Sequence, residues 1–363
     1  MTDGWSVARA LTDPQSAAGL EPAGWTRLLS AARALSLIGT LAEAMADNGV
    51  PAEVERVLGD VRRSNIAGQR QALWEAECAK AALATYSGKV ILLKGTAFAA
   101  AGYRAALGRS IGDLDILVDR SGIDQVEALL LSAGWEWVKP DPYDDAYYRK
   151  WMHELPPMIH ASRDRMIDVH HTILPLTAKP RPDAAALIAD ARALPSGLFV
   201  LSPADIICHA AAHLLADGDL SGGMRNLWDI DRLVRQFAAE ERDFAERLAD
   251  RARLHGLTGA VSRALRLSQR LFNTPPVFRR KPEPGAGAEQ SGPGIRLSPE
   301  STSAKRHMSD ALFLRRITAV DGWGRKTRKL TRQAFFIRSH ALRMPPLMLA
   351  RHLWTKWRMG RRD

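Results

Sequence analysis

A chain of 363 residues with 46% apolar residues is long enough to bury a sizeable core and to form more than one domain. Its two cysteines, Cys78 and Cys208, belong to no CxxC or ligand cluster, and no uninterrupted apolar run nears the roughly twenty residues that span a bilayer. A disulfide scaffold and a membrane-spanning helix are thereby excluded. The net charge of +11 is local: residues 305–363 hold 16 Lys and Arg against 3 Asp and Glu, whereas the rest holds 35 against 37, so the body lacks the continuous positive path that a long nucleic acid needs.

The N-terminus carries no basic stretch followed by an apolar core, which predicts no secretory signal and a cytoplasmic protein with free thiols. Residues 23–85 read as helices. Leu28, Leu29, Ala32, Leu35, Ile38 and Leu41 recur at helical spacing, and a second stripe runs through Val54, Val57, Val61 and Ile66. A mixed segment follows, with strand 88–93, helix 95–104, strand 110–118, helix 121–133 and a further strand at Trp135 to Val138. Asp141 to Lys150 reads as a loop or short helix. Residues 157–162 and 166–173 predict a hairpin around Arg163-Asp164-Arg165. Helices are predicted at 203–217, with Ser202-Pro203 as cap and first turn, and at 225–239, 242–254 and 257–272. Residues 273–304 are rich in Pro, Gly and Ser and read as a flexible linker. The expected organisation is an N-terminal helical segment (1–85), a core (86–180), a helical domain (181–272), the linker (273–304) and a basic tail (305–363).

The chemistry-bearing residues fall in the mixed segment. Asp113 and Asp115 stand two positions apart on a predicted strand, so their carboxylates point the same way, roughly 7 Å apart at the Cα atoms. An acidic pair among Leu114, Ile116, Leu117 and Val118 needs compensation, and a divalent metal is the usual one. The bland alternative is a solvated turn. Lys94, Gly95 and Thr96 open the helix after the strand at 88–93. Gly95 permits close backbone approach, and amides at a helix start favour anions, so these residues are candidates for binding phosphate; an ordinary strand-to-helix turn also uses such a glycine. Arg109 could clamp a phosphate through two nitrogens or pair with the aspartates. His170 and His171 adjoin Asp168 and are candidates for substrate contact or for a structural role. His209 and His213 form His-x-x-x-His on a helix, but Ala210 stands where a metalloprotease needs Glu, so packing is the better reading.

Leu93-Lys94-Gly95, Tyr103, Arg109 and Asp113-Leu114-Asp115-Ile116-Leu117-Val118 together resemble the nucleotidyltransferase superfamily, in which strand, glycine turn and helix precede a strand carrying Asp-x-Asp. More narrowly they resemble a poorly characterised bacterial nucleotidyltransferase family with a Lys-Gly opening. The resemblance continues through Ile167-Asp168-Val169-His170 and residues 202–234, where Arg225, Trp228, Asp229 and Asp231 match its helical part. One departure is Gly95-Thr96, where most of the superfamily has Gly-Ser or Gly-Gly. The resemblance implies an α+β fold, with a small mixed sheet flanked by N-terminal and C-terminal helices. It implies Mg2+ (or Mn2+) held by Asp113, Asp115 and a third carboxylate, Asp168, the last binding metal or accepting a proton; the alternative for Asp168 is a salt bridge to Arg163 or Arg165. It further implies transfer of a nucleoside monophosphate from an NTP to an unidentified acceptor, with Lys94, Gly95, Thr96 and Arg109 on the triphosphate.

A catalytically silent nucleotide-binding or adaptor protein on the same scaffold is the alternative, docking through its basic tail. Arg325-Lys326-Thr327-Arg328-Lys329 is compact, and Phe335, Phe336, Ile337, Trp354 and Trp357 lie among further Arg and His residues. That mixture reads as a solvated extension, as a surface for an anionic membrane or protein partner, or as aromatic side chains packed back on the body. Peripheral membrane attachment is thus an expectation alongside the cytoplasmic one, and nucleic acid is disfavoured as a partner.

Overall fold

The apolar run Val90-Ile91-Leu92-Leu93 is buried throughout. It supplies a central strand of a seven-stranded sheet in the computed structural model, which describes residues 3–216, 218–277 and 303–343. Helices α1 (Asp3–Thr12), α2 (Pro22–Ala34), α3 (Ile38–Ala44) and the long α4 (Ala52–Ala82) precede strand β1 (Ile91–Leu92). Next come α5 (Lys94–Ala100), β2 (Leu114–Leu117), α6 (Ile123–Ser132), β3 (Trp135–Trp137), α7 (Pro142–Trp151), β4 (Met158–His160) and β5 (Met166–His170). Helix α8 (Ala184–Ala189) and strands β6 (Arg192–Ala193) and β7 (Phe199–Val200) lead into α9 (Pro203–Ala216), α10 (Gly223–Glu240), α11 (Phe244–Leu254) and α12 (Thr258–Phe272). Helices α13 (Ser303–Ile317) and α14 (Lys329–Arg343) follow.

The sheet runs β3-β4-β5-β2-β1-β7-β6. β2 is parallel to β5 and antiparallel to β1, and β1 is parallel to β7. All four residues of β2 are buried, the pattern of a strand covered on both faces. The fold is α+β with flanking helices, as the sequence predicts. The hairpin also forms at the expected place: β4 and β5 are antiparallel, and Asp164 takes the left-handed turn conformation at φ +52°. Asp141 to Lys150 resolves into a helix. Asp141 caps α7 by accepting from the backbone N–H groups of Tyr143 (2.7 Å) and Asp144 (3.1 Å), which closes the helix start.

Helix α9 packs against α10, α11 and α12. On α10 the buried Leu227, Ile230, Leu233, Val234 and Phe237 form one apolar stripe at helical spacing. The N-terminal helices join this body closely. A Cβ on Gly108 would stand 2.3 Å from the Gly39 carbonyl oxygen, and Gly108 has φ +64°, so the loop carrying Arg109 touches α3 at a point only glycine fits.

The basic segment differs from the solvated extension of the sequence reading. In its described part Phe313, Leu314, Ile317, Val320 and Phe335 are buried, and Phe313 meets Phe335 edge to face at 5.1 Å. Arg266 on α12 donates to Asp310 on α13 at 2.9 Å, and Arg338 Nη1 donates to the Gly218 carbonyl at 3.0 Å. Charge dominated the sequence reading, whereas Phe313, Leu314 and Ile317 at positions i, i+1 and i+4 carry the packing. Residues 278–302 of the expected linker, and Trp354 and Trp357 of the tail, lie outside the described residues.

Candidate active site

The parallel register of β2 and β5 sets Asp115 directly opposite Asp168. Asp113 is not on the strand. β2 starts at Leu114, opposite Ile167, and Asp113 lies exposed in the bend before it. The strand predicted over 110–118 is thus shorter, and the two aspartates of Asp-x-Asp sit in different surroundings. Although exposed, Asp113 sits over protein that displaces part of its hydration; this partial desolvation, and then the Asp115 charge, raises its pKa.

Asp115 is only 5% exposed. Its Oδ1 accepts from Lys94 Nζ at 2.6 Å and lies 3.1 Å from His170 Nε2. Burial alone would raise its pKa, but the His170 hydrogen bond and the Lys94 charge outweigh burial and hold the carboxyl well below the usual carboxylate range. Lys94 itself has φ +50°, in the left-handed region that L-residues enter at a cost of about 1–2 kcal/mol. Burial lowers the Lys94 pKa; the Asp115, Asp168 and Glu154 charges raise it by more, so the ammonium stays charged.

Asp168 is in the opposite state. Burial first, then the Asp115 and Glu154 charges, push its pKa up to about 7. Its Oδ1 is buried with no hydrogen-bond partner. The salt bridges weighed for it go elsewhere: Arg163 pairs with Glu75 at 3.0 Å, and Arg165 donates to Gln71 and not to Asp168.

Three residues that the sequence reading did not single out complete this pocket. Segment 152–157 runs antiparallel to the end of β5: Leu155 N donates to Val169 O, His171 N donates to His153 O, and Glu154 forms a β-bridge with His170. Glu154 Oε2 thereby comes to 3.3 Å from His170 Nδ1 and 3.7 Å from His153 Nε2. The His153 pKa lies well below the ordinary histidine range, through burial first and then through His170 and Lys94. Tyr148 on α7 is pushed up to about 12 by burial, Glu154 and Asp168. The one sequence signal for this group is His153-Glu154 just ahead of the hairpin, and nothing local in the chain says that it folds onto His170.

The residues expected at phosphate divide. Gly95 and Thr96 are buried at the start of α5, and Thr96 lines a narrow cleft with Asp113, Gly112, Arg165 and Glu75. Arg109 pairs with neither aspartate of Asp-x-Asp. Its Nη1 donates to Asp229 on α10, which also accepts from Arg225 Nη2 at 2.6 Å. A Cβ at Gly95 would stand 2.7 Å from Arg109 Nε, so Gly95 makes room for that guanidinium. Arg225 also donates to Thr40 on α3 and to the Ala105 carbonyl, tying α10 to the N-terminal helices. Asp231 pairs with Arg232 and Arg235. His209 and His213 stay within the helical body, with His209 only 7% exposed. His171 carries a pKa lowered to about 4, chiefly by burial.

The arrangement is an acidic pair on adjacent parallel strands, with Asp115 buried and Asp168 half-buried, a third carboxylate at the strand mouth and one lysine. That is the donor set for a hard divalent cation and the phosphates it carries. Residues 21–273 match the model of a family described as uncharacterised nucleotidyltransferase. Comparison with curated proteins and with solved structures gives no match. The family match covers more than half of the chain, and the chain belongs to that nucleotidyltransferase family.

Proposed function

We propose that this chain transfers a nucleoside monophosphate from an NTP to a hydroxyl or phosphate acceptor, with Mg2+ or Mn2+ held by Asp113, Asp115 and Asp168. The observation that carries the reading is Asp168: its Oδ1 is buried and unpartnered, beside two other carboxylates. Leaving such an oxygen unsatisfied costs about 1–3 kcal/mol, which a cation at that oxygen offsets. The donor set is all oxygen, which fits Mg2+ or Mn2+. When bound, the cation supplies charge neutralisation for the triphosphate and for the departing pyrophosphate.

The chain's own residues do the rest. An acceptor oxygen forms a bond to the α-phosphorus, the bond from that phosphorus to the bridging oxygen breaks, and pyrophosphate leaves with the electron pair. A hydroxyl acceptor gives up its proton in this step, and Asp168, whose Oδ1 is buried without a partner, is the carboxylate that would either hold the cation or take that proton. Lys94, charged and bonded to Asp115, would offer its ammonium to a phosphate oxygen beside that carboxylate. Thr96 offers a hydroxyl beside Asp113. Arg109 acts from behind, filling the space over Gly95 and holding Asp229. Incubation with Mg2+ and each α-labelled NTP, in the presence of a cell metabolite pool, tests the proposal. Label should move to a new product with release of pyrophosphate, and the Asp115→Asn variant should lose that transfer. Equal transfer by the variant contradicts it.

A further inference from the structure

We infer that His153, Glu154 and His170 form a second cation site, separate from the three aspartates and suited to a borderline transition metal such as Zn2+. One ligand atom from each of the three lies within 4.8 Å of the others. The two separations that involve Glu154 Oε2 are 3.3 Å to His170 Nδ1 and 3.7 Å to His153 Nε2. Ligand atoms bound about 2.0–2.1 Å from a tetrahedral ion stand roughly 3.3 Å apart, so little movement would be needed to close a site.

The hydrogen bonding of His170 points the same way. Its ring is 2% exposed, and Nε2 lies 3.1 Å from Asp115 Oδ1. A carboxylate only accepts, so the ring donates from Nε2 to Asp115 and presents Nδ1 to Glu154. Nδ1 is buried, stands 3.3 Å from the Glu154 carboxylate and makes no hydrogen bond. A cation between the two would take a ligand atom from each. His153 presents Nε2 to the same Glu154 oxygen, at 3.7 Å.

Asp115 would then stand behind a metal-binding His170, orienting the ring and raising its basicity, as carboxylates commonly do behind ligating histidines. Two imidazoles and a carboxylate are softer than the oxygen set of the aspartates, and they select Zn2+ over Mg2+. Three protein ligands leave a fourth position open, the pattern of zinc sites that bind water or substrate. The site joins the segment after α7 to the end of β5, so a bound ion would also fix the strand that carries Asp168.

Titration of the full-length, chelator-treated protein with Co2+ tests this, in the presence of millimolar Mg2+ to fill the aspartates. One Co2+ per chain should bind with the visible absorption of a four-coordinate ion, and one equivalent of Zn2+ should displace it. Glu154→Gln, which keeps the side-chain shape, and His153→Ala should each weaken binding by at least tenfold, while Asp113→Asn leaves it unchanged. Circular dichroism establishes that each variant is folded. Absence of Co2+ binding to the parent overturns the inference. Binding lost in Asp113→Asn but kept in Glu154→Gln overturns it as well, since the ion then sits on the aspartates.

Discussion

Asp115 and Asp168 face each other across two strands yet carry opposite electrostatic states, and this contrast sets the behaviour of the site. Asp115 has Lys94 and His170 on its Oδ1; Asp168 has an unpartnered oxygen and two carboxylate neighbours. Without a divalent ion, the folded-state pKa of Asp168 is about 7, against roughly 3.9 in an unfolded chain. Between those values the folded state keeps a proton that the unfolded state has lost, so stability falls as pH rises from 4 to 7. In chelator-treated protein Asp168→Asn should abolish that fall and raise the melting temperature at pH 8 by on the order of 2 °C, measured by differential scanning calorimetry. A lower melting temperature for the variant would contradict the strained state of Asp168. On the proposed mechanism turnover needs Asp168 ionised, so at limiting Mg2+ it should rise with pH through about 7. At this scale the spacing of Lys94, Asp113 and Asp115 was legible, and the structure brings Lys94, Asp115 and Asp168 together while Asp113 stands before the strand. His153 and Glu154 were not, because their role exists only through a bridge to His170 that no local pattern encodes.

Among elements, the strands that matter are short and apolar, and their pairing does more than their length. β2 was legible from its apolar run, but its true start at Leu114 depends on where β5 begins to pair with it. The same holds for Arg109. Its charge and position were visible, whereas its partner Asp229 lies 120 residues further on. The buried cluster of Arg109, Asp229, Arg225 and Thr40 joins three parts of the chain and invites a direct test. Asp229→Ala leaves the buried Arg225 and the half-buried Arg109 without their carboxylate, which should cost about 3–5 kcal/mol. Urea unfolding monitored by tryptophan fluorescence reads this as a lower midpoint. A change below about 0.5 kcal/mol would mean that water, and not Asp229, satisfies the two arginines. Helix α7 shows the limit of periodicity: its aromatic and charged residues give no apolar stripe, and none of them is buried, yet Asp141 caps a full helix there.

For the whole molecule, the charge map and the packing map disagree in the basic segment. Sequence counting separates residues 305–363 as a tail, while Phe313, Ile317, Val320 and Phe335 belong to the core. A Cβ on Gly4 would stand 2.7 Å from the Thr318 backbone, so α1 itself rests on this segment. Ending the chain at residue 302 should therefore destabilise the body by on the order of 5 kcal/mol and lower its melting temperature by roughly 10 °C. A detachable docking module would leave the melting temperature unchanged. The acidic pair is tested by one comparison: Mg2+-dependent pyrophosphate release from NTPs by the parent and by Asp115→Asn, both shown to be folded. With Asp115 holding the cation, the rate should fall at least 10²-fold in the variant, the scale of removing one major electrostatic contributor. Pyrophosphate release at the parent's rate by Asp115→Asn would contradict that role.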